Sequence, residues 1–262
     1  MIRVWGLLGL FTLMFLAPVA VLALYALSSS WFFPELVPAR FDTRSFSYLV
    51  QHRLDIALSL LSSTLYSLAA VAVTLIMTVL PAKQFARLDF YGKTVLEGLF
   101  LAPALIPPMA FAMGAHYLFL RVGIADTGLG VVLILSMYSY PYMLRALSSG
   151  YQTYSRDIEL CARNMGASSW RILTTIELPL LLPAIVAGGT IVFLVSFSEY
   201  FLVFLIGGGT VPSYAGYIFP LLNSSDKSVA SLLTLLFLVV PIALFILIDR
   251  IVYNAYRKRG MM

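Results

Sequence analysis

Ionisable and nucleophilic side chains are sparse in this chain, and their spacing excludes more chemistry than it offers. The single cysteine, Cys161, rules out an internal disulfide. His52 and His116 stand alone, with no His-Glu-x-x-His run and no Cys/His spacing that would hold a metal. Gly92-Lys93 lacks the first glycine of a phosphate-cradling loop. No nucleophile, base and orienting group can be assembled into a catalytic constellation. Two places remain. Apart from His116, Glu199 is the only ionisable residue deep in a long apolar run. A charge there is costly and faces a cavity or a partner. Helical spacing sets Ser196 near Glu199 and Tyr200 on one face, with Ser198 beside them. Glu199 either lines a path for a cationic solute or makes a salt bridge or hydrogen bond between helices. The contact reading is favoured for the charge itself, while its helix is still expected to line a path. His116 is read as a hydrogen-bonded helix contact rather than a ligand.

The second place is the stretch Glu159 to Pro179, ELCARNMGASSWRILTTIELP, the longest amphipathic segment of an oily chain. Ser155 can cap a helix over 156–165, with Asp157 and Glu159 in the first turn, where the helix dipole favours acids. Ile158, Cys161, Ala162 and Met165 recur at i, i+3, i+4 and i+7, which makes one apolar face. Arg156, Glu159, Arg163 and Asn164 occupy the remainder. Gly166 suits the left-handed position past the helix end. Ser168 can cap a second helix through Trp170, Ile172, Leu173 and Ile176 that stops before Pro179. Such a helix–glycine–helix segment can rest on lipid headgroups, bind DNA, or lay a helix into a partner's groove. Its basic count and apolar face are small for a lipid-bound helix. Confinement between membrane segments argues against DNA. Docking to a partner is the preferred reading.

The elements that must hold these residues follow from composition. Of the 262 residues, 61% are hydrophobic and 11% charged, with a mean hydropathy of +0.94. A soluble domain is roughly 25% charged, so the chain is read as an all-α membrane protein. Six apolar stretches approach or exceed the length of a bilayer-crossing helix: about 5–27, 56–81, 98–120, 128–144, 180–206 and 229–248. Backbone groups in lipid must be satisfied within the segment, which forces helices, and the alternation of a barrel is not seen. The first stretch follows Arg3 but is too long for a signal-peptide core, so it is read as a retained helix. Pro103, Pro107 and Pro108 should kink or partly unwind the third. The run WFFPELVPARF between the first two stretches suits a segment lying on the membrane interface. Gly207, Gly208, Gly209 and Pro212 signal a turn. One membrane domain, 1–262, accounts for the chain.

Charge placement orients the chain. Arg3, Lys83, Arg87, Lys93, Arg145, Arg156, Arg163, Arg171, Arg250, Arg257, Lys258 and Arg259 fall on one side. Arg40, Arg44, Arg53, Arg121 and Lys227 fall on the other. Basic residues accumulate on the cytoplasmic side, so both termini and the 150–179 loop are expected in the cytoplasm. The net charge of +5 is therefore an orientation signal and not a nucleic-acid footprint.

The 150–179 loop resembles the signature loop of MetI-like permease subunits of binding-protein-dependent ABC importers. That signature reads Glu-Ala-Ala, three residues, Gly, nine residues, Ile, any residue, Leu-Pro. Here Leu160-Cys161-Ala162 is followed by Arg163-Asn164-Met165, Gly166, nine residues, Ile176, and Leu178-Pro179. Leu160 stands where the family has its acid, and Glu159 lies one residue early. Cys161 replaces an alanine. The WFFPELVPARF and SFSEYFLVFLIGGG runs are similar to segments of the polyamine, thiamine and ferric-iron branch, and the likeness covers most of residues 30–250.

The resemblance implies a six-helix permease in a bacterial inner membrane. Helix 156–165 would couple to a cytoplasmic ATPase through Ile158, Glu159, Leu160, Cys161, Ala162, Arg163, Asn164, Met165 and Gly166. A second, paralogous permease would complete the pathway, with Ser196, Glu199 and Tyr200 as candidate lining residues. A periplasmic or lipid-anchored binding protein would deliver a polyamine, thiamine, ferric iron or a phosphonate. The chain itself would carry no cofactor and no catalytic site, ATP and Mg residing on the ATPase. Ion-gradient transport through Glu199 is the competing reading. An intramembrane enzyme or a bare scaffold would leave the docking loop unexplained.

Overall fold

The computed structural model describes residues 2–28, 31, 34–38, 40–224 and 226–258, with the backbone alone for 2–4, 6, 249 and 251–258. Phe32, Phe33 and Ala39 of the interfacial run, and Arg259 of the basic tail, lie outside the described residues, as do the side chains of Arg3, Arg257 and Lys258. The described chain is helical throughout, and its one β feature is an isolated bridge between Ser28 and Phe41. Five helices are long and apolar enough to cross a bilayer. A sixth candidate is a pair, Lys93–Leu105 and Pro108–Val122, bent by 104° at the break between them. The third stretch is thus interrupted where its prolines predicted a kink or partial unwinding, as a broken span or a re-entrant loop. Ile106 is extended, as expected of a residue before proline, and Pro107 and Pro108 have no N–H with which to continue the helix.

Two compact units divide the chain. The first comprises residues 1–60 and 214–262. Its α1 (Ile2–Ala26) packs along α12 (Lys227–Lys258), which also contacts α2 (Arg44–Gln51) and α11 (Tyr214–Leu222). Ile56, Tyr214, Ile218, Val229 and Leu233 form its core. Buried hydroxyls are satisfied on backbone carbonyls: Ser45 Oγ donates to Ala26 O at 2.5 Å and Tyr214 Oη to Leu233 O at 2.8 Å. Arg44 and Asp226 pair at 3.0 Å on its surface. Most of α1, from Trp5 through Val21, remains exposed and apolar, as befits a lipid-facing or partner-facing helix.

The second unit, residues 61–213, carries both candidate sites. Helix α3 (Arg53–Arg87) contributes its larger, C-terminal part. Then come α4 (Lys93–Leu101), a short 3-10 turn, α5 (Pro108–Val122) and α6 (Gly128–Gln152). The principal pairing is α6 with α9 (Leu178–Ser198). Small residues allow it: a Cβ on Gly188 would meet the Ala146 Cβ at 2.8 Å, and one on Gly150 would meet the Ala184 Cβ at 2.6 Å. At one end of this unit, Asp126 N donates to Ile206 O at 2.8 Å and Thr210 Oγ1 to Asp126 O at 2.9 Å, which fastens the predicted glycine turn. Gly208 and Gly209 take positive φ there, +55° and +74°.

Candidate functional site

The loop 150–179 folds into the two helical pieces its sequence predicts, with different edges. Helix α7 runs over Asp157–Asn164, one residue shorter at each end than 156–165. Ser155 Oγ accepts the Asp157 N–H at 3.1 Å. The helix ends as its glycine demands: Gly166 has φ +85°, its N–H reaches Arg163 O at 2.9 Å, and Ala167 N–H reaches Ala162 O at 3.1 Å. Ser168 Oγ then accepts the Arg171 N–H at 3.3 Å and opens α8 (Ser169–Ile172).

The second piece does not stop before Pro179. It passes through a π turn, Leu173–Glu177, into α9, and the helical run is continuous from Ser169 to Ser198. A proline ring crowds the carbonyl four residues before it and offers no N–H. The wider π turn absorbs that mismatch, so the helix continues where its sequence signals a stop.

Helix α7 is turned by charge. Glu159 is 7% exposed and pairs with Lys83 Nζ at 2.7 Å and more loosely with Arg87 Nη2 at 3.6 Å. Lys83 also meets Glu177, 2% exposed, at 2.5 Å, and Tyr151 Oη donates to that carboxylate at 3.1 Å. Tyr154 Oη donates to Glu159 at 3.3 Å while the Arg87 guanidinium lies 4.7 Å from the centre of its ring. Burial pushes the Tyr154 hydroxyl up, which keeps it protonated as the donor, although its bond to Arg87 opposes the shift. One lysine at the end of α3 thus ties α7 and the π turn together. The distant basic partners of Glu159 and Glu177 were not identifiable from the local pattern, although four ionisable residues in otherwise oily surroundings marked the region.

This anchoring redistributes the predicted docking residues. Glu159 and Ala162 turn inward and leave the exposed set. Ile158, Leu160, Cys161, Arg163, Asn164, Met165 and Gly166 are exposed, Met165 to 82%. Three of the four residues of the predicted apolar face, Ile158, Cys161 and Met165, are therefore exposed.

The second candidate site separates. Ser196 is fully buried, whereas Glu199 and Tyr200 are half-buried. They do not share one helical face, because α9 ends at Ser198 and Glu199 is extended before α10 (Phe201–Ile206). The Glu199 carboxylate accepts the Phe201 and Leu202 N–H groups at 3.2 and 3.4 Å. The charge predicted to meet another helix instead caps the short helix that follows it. His116 Nδ1 is buried without a hydrogen-bond partner.

Residues 45–259 match the family described as binding-protein-dependent transport system inner membrane component. The chain belongs to this family. The molybdenum transport system permease protein ModB of Haemophilus influenzae is 32% identical over 149 residues, covering 50% of this chain and 65% of that protein. The spermidine/putrescine transport system permease protein PotC of the same organism is 26% identical over 186 residues, covering 71% of this chain and 72% of that protein. A crystal structure of a bacterial ABC transporter involved in import of the polysaccharide alginate aligns with a TM-score of 0.67 at 18% identity, over 95% of this chain and 96% of that one. At that identity the likeness speaks for the fold alone. The signature loop and the all-α membrane architecture of this family are thus present in the chain, with Leu160 at the position of the signature acid.

Proposed function

We propose that this family member is the permease subunit of an ATP-driven importer, with α7 seated in a cleft of a cytoplasmic ATPase. The observation that carries this reading is the posture of α7. An amphipathic helix is held from behind by Glu159 and Lys83, with Ile158, Cys161 and Met165 directed outward. A helix offered in this way suits a groove on another chain. Lys83 ties it to Glu177 at the root of α9. A displacement of α7 by the ATPase is thereby conveyed to α3 and α9 as one body. A paralogous second permease completes the pathway, a binding protein delivers the solute from outside, both termini lie in the cytoplasm, and ATP with Mg stays on the ATPase.

The proposed solute is a small oxyanion of the molybdate class rather than a cation. The ModB relatives support it. The cation expectation came from the branch resemblance with a tilt from Glu199, whose carboxylate is engaged with two backbone N–H groups. That engagement also weakens a gradient-driven mechanism built on Glu199. The PotC likeness keeps a polyamine as the alternative solute.

Affinity purification of the tagged permease from its own membranes tests the coupling. A Walker-motif ATPase should accompany the wild type and be lost from Met165→Asp, with the permease still folded. An intact complex in that variant would count against the reading. Uptake of radiolabelled molybdate, competed by tungstate and not by spermidine, tests the solute.

A further inference from the structure

A groove of about 780 Å³ opens between the end of α3, the flank of α7 and the segment 169–178, wholly within the second unit. Its walls divide by chemistry. Leu75, Ile76, Val79 and Leu80 of α3 form an apolar floor, with Ile76 and Leu80 strongly exposed. Further along the same helix, Lys83 and Arg87 begin a basic end, which Arg156 and Arg163 of the α7 segment complete. From Ile76 to Arg87 the helix rises about 16 Å. Those four cations face only two lining carboxylates, Glu159 and Glu177, and both of these are already held by Lys83. Two positive charges are left over.

Arg87 is the informative residue. Its side chain is 14% exposed, and its Nε and Nη2 atoms are buried without a hydrogen-bond partner. The nearest carboxylate oxygen, of Glu159, stands at 3.6 Å, beyond a hydrogen bond. A guanidinium donates in a fixed fork that suits phosphate. Trp170, 72% exposed, lines the same groove, and tryptophan favours the boundary between headgroups and acyl chains.

We propose that this groove binds one anionic glycerophospholipid, its phosphate between Arg87 and Arg163 and an acyl chain along Ile76 and Leu80. Basic pockets at the cytoplasmic ends of membrane helices take anionic headgroups in this way. The site uses a different flank of α7 from the three exposed residues of its apolar face. At about 100° per residue, Arg156, Leu160 and Arg163 lie opposite Ile158, Cys161 and Met165 on the helix. The choice of leaflet rests on the orientation proposed above, whereas the binding chemistry does not.

The test uses the full chain with Trp5→Phe and Trp31→Phe, so that Trp170 is the single reporter. It is reconstituted in phosphatidylcholine containing equal mole fractions of either brominated phosphatidylglycerol or brominated phosphatidylcholine. The anionic lipid should bind roughly fivefold or more tightly, read as the excess quenching of Trp170. Arg87→Gln should abolish the excess. Arg156→Gln, on an exposed flank outside the residues assigned to ATPase docking, should reduce it while co-purification of the ATPase persists. Equal quenching by the two lipids in the parent, or an excess that survives both variants, overturns the proposal. Loss of the excess on adding millimolar inorganic phosphate, but not chloride of equal ionic strength, also overturns it and assigns a free-phosphate site. Met165→Asp should abolish ATPase association and leave the lipid preference intact, so the two readings fail separately.

Discussion

Lys83 concentrates more electrostatic work than any other residue described. It neutralises two carboxylates that are almost wholly withdrawn from solvent, Glu159 and Glu177. Removing one member of a buried ion cluster leaves the others uncompensated. Lys83→Met should therefore lower stability by about 3 kcal/mol, while Lys83→Arg retains most of it. Thermal unfolding of the detergent-solubilised protein checks both. Glu199 offers a contrasting case, since its side chain acts as a cap. Glutamine keeps an acceptor oxygen, so Glu199→Gln should transport normally. Glu199→Ala should cost about 1 kcal/mol through loss of the cap. Loss of transport in the glutamine variant, with ATPase stimulation by the binding protein intact, would show instead that the charge serves the pathway. Glu199 was legible as unusual because a carboxylate in an apolar run always is. Its partner was not, because the partner is backbone exposed by a helix break that no residue pattern announces.

Among the elements, α6 and α9 form the tightest pairing, and two adjacent glycines distinguish close packing from ordinary contact. A Cβ at Gly188 would press on Ala146 at 2.8 Å and on Met143 Sδ at 2.9 Å, whereas at Gly189 its nearest neighbour is Val71 Cγ1 at 3.4 Å. Gly188→Ala should destabilise by about 1–3 kcal/mol, the range for overpacking, and Gly189→Ala should be near neutral. Melting temperatures of the two variants decide this. The ends of α7 and the start of α8 were legible, because Ser155, Gly166 and Ser168 act through local geometry. Its rotation was not. Apolar periodicity set Ile158, Cys161, Ala162 and Met165 on one face, offered to a partner, and did not show that Ala162 would be buried. The pull of Lys83 on Glu159 turned most of that face out. The continuation through Pro179 was equally hidden, since it depends on a π turn rather than on any residue's propensity.

For the whole molecule, orientation is the property most open to a direct measurement. Cys161 is the chain's single cysteine and is exposed on α7. A membrane-impermeant maleimide should label it in inverted membrane vesicles from cells expressing the permease without the ATPase, and leave it unlabelled in intact spheroplasts. The reverse pattern would place the docking loop outside and remove the basis for an ATPase contact. The chain divides into two compact units, and helix α3 runs through the division at residues 60 and 61. A helix continuous across such a division gives the sequence no linker signal, so the partition is visible only in the contacts.

Sequence alone determined what depends on composition and on near neighbours: a helical membrane chain, its apolar stretches, and the local hydrogen bonds at the ends of α7. These follow from desolvation and from hydrogen bonds reaching three or four residues. Tertiary structure decided the inward turn of Glu159 and the basic groove beside Arg87. Each depends on groups far apart in the chain whose meeting is set by packing, and the strength of a charge pair rises as packing withdraws it from water.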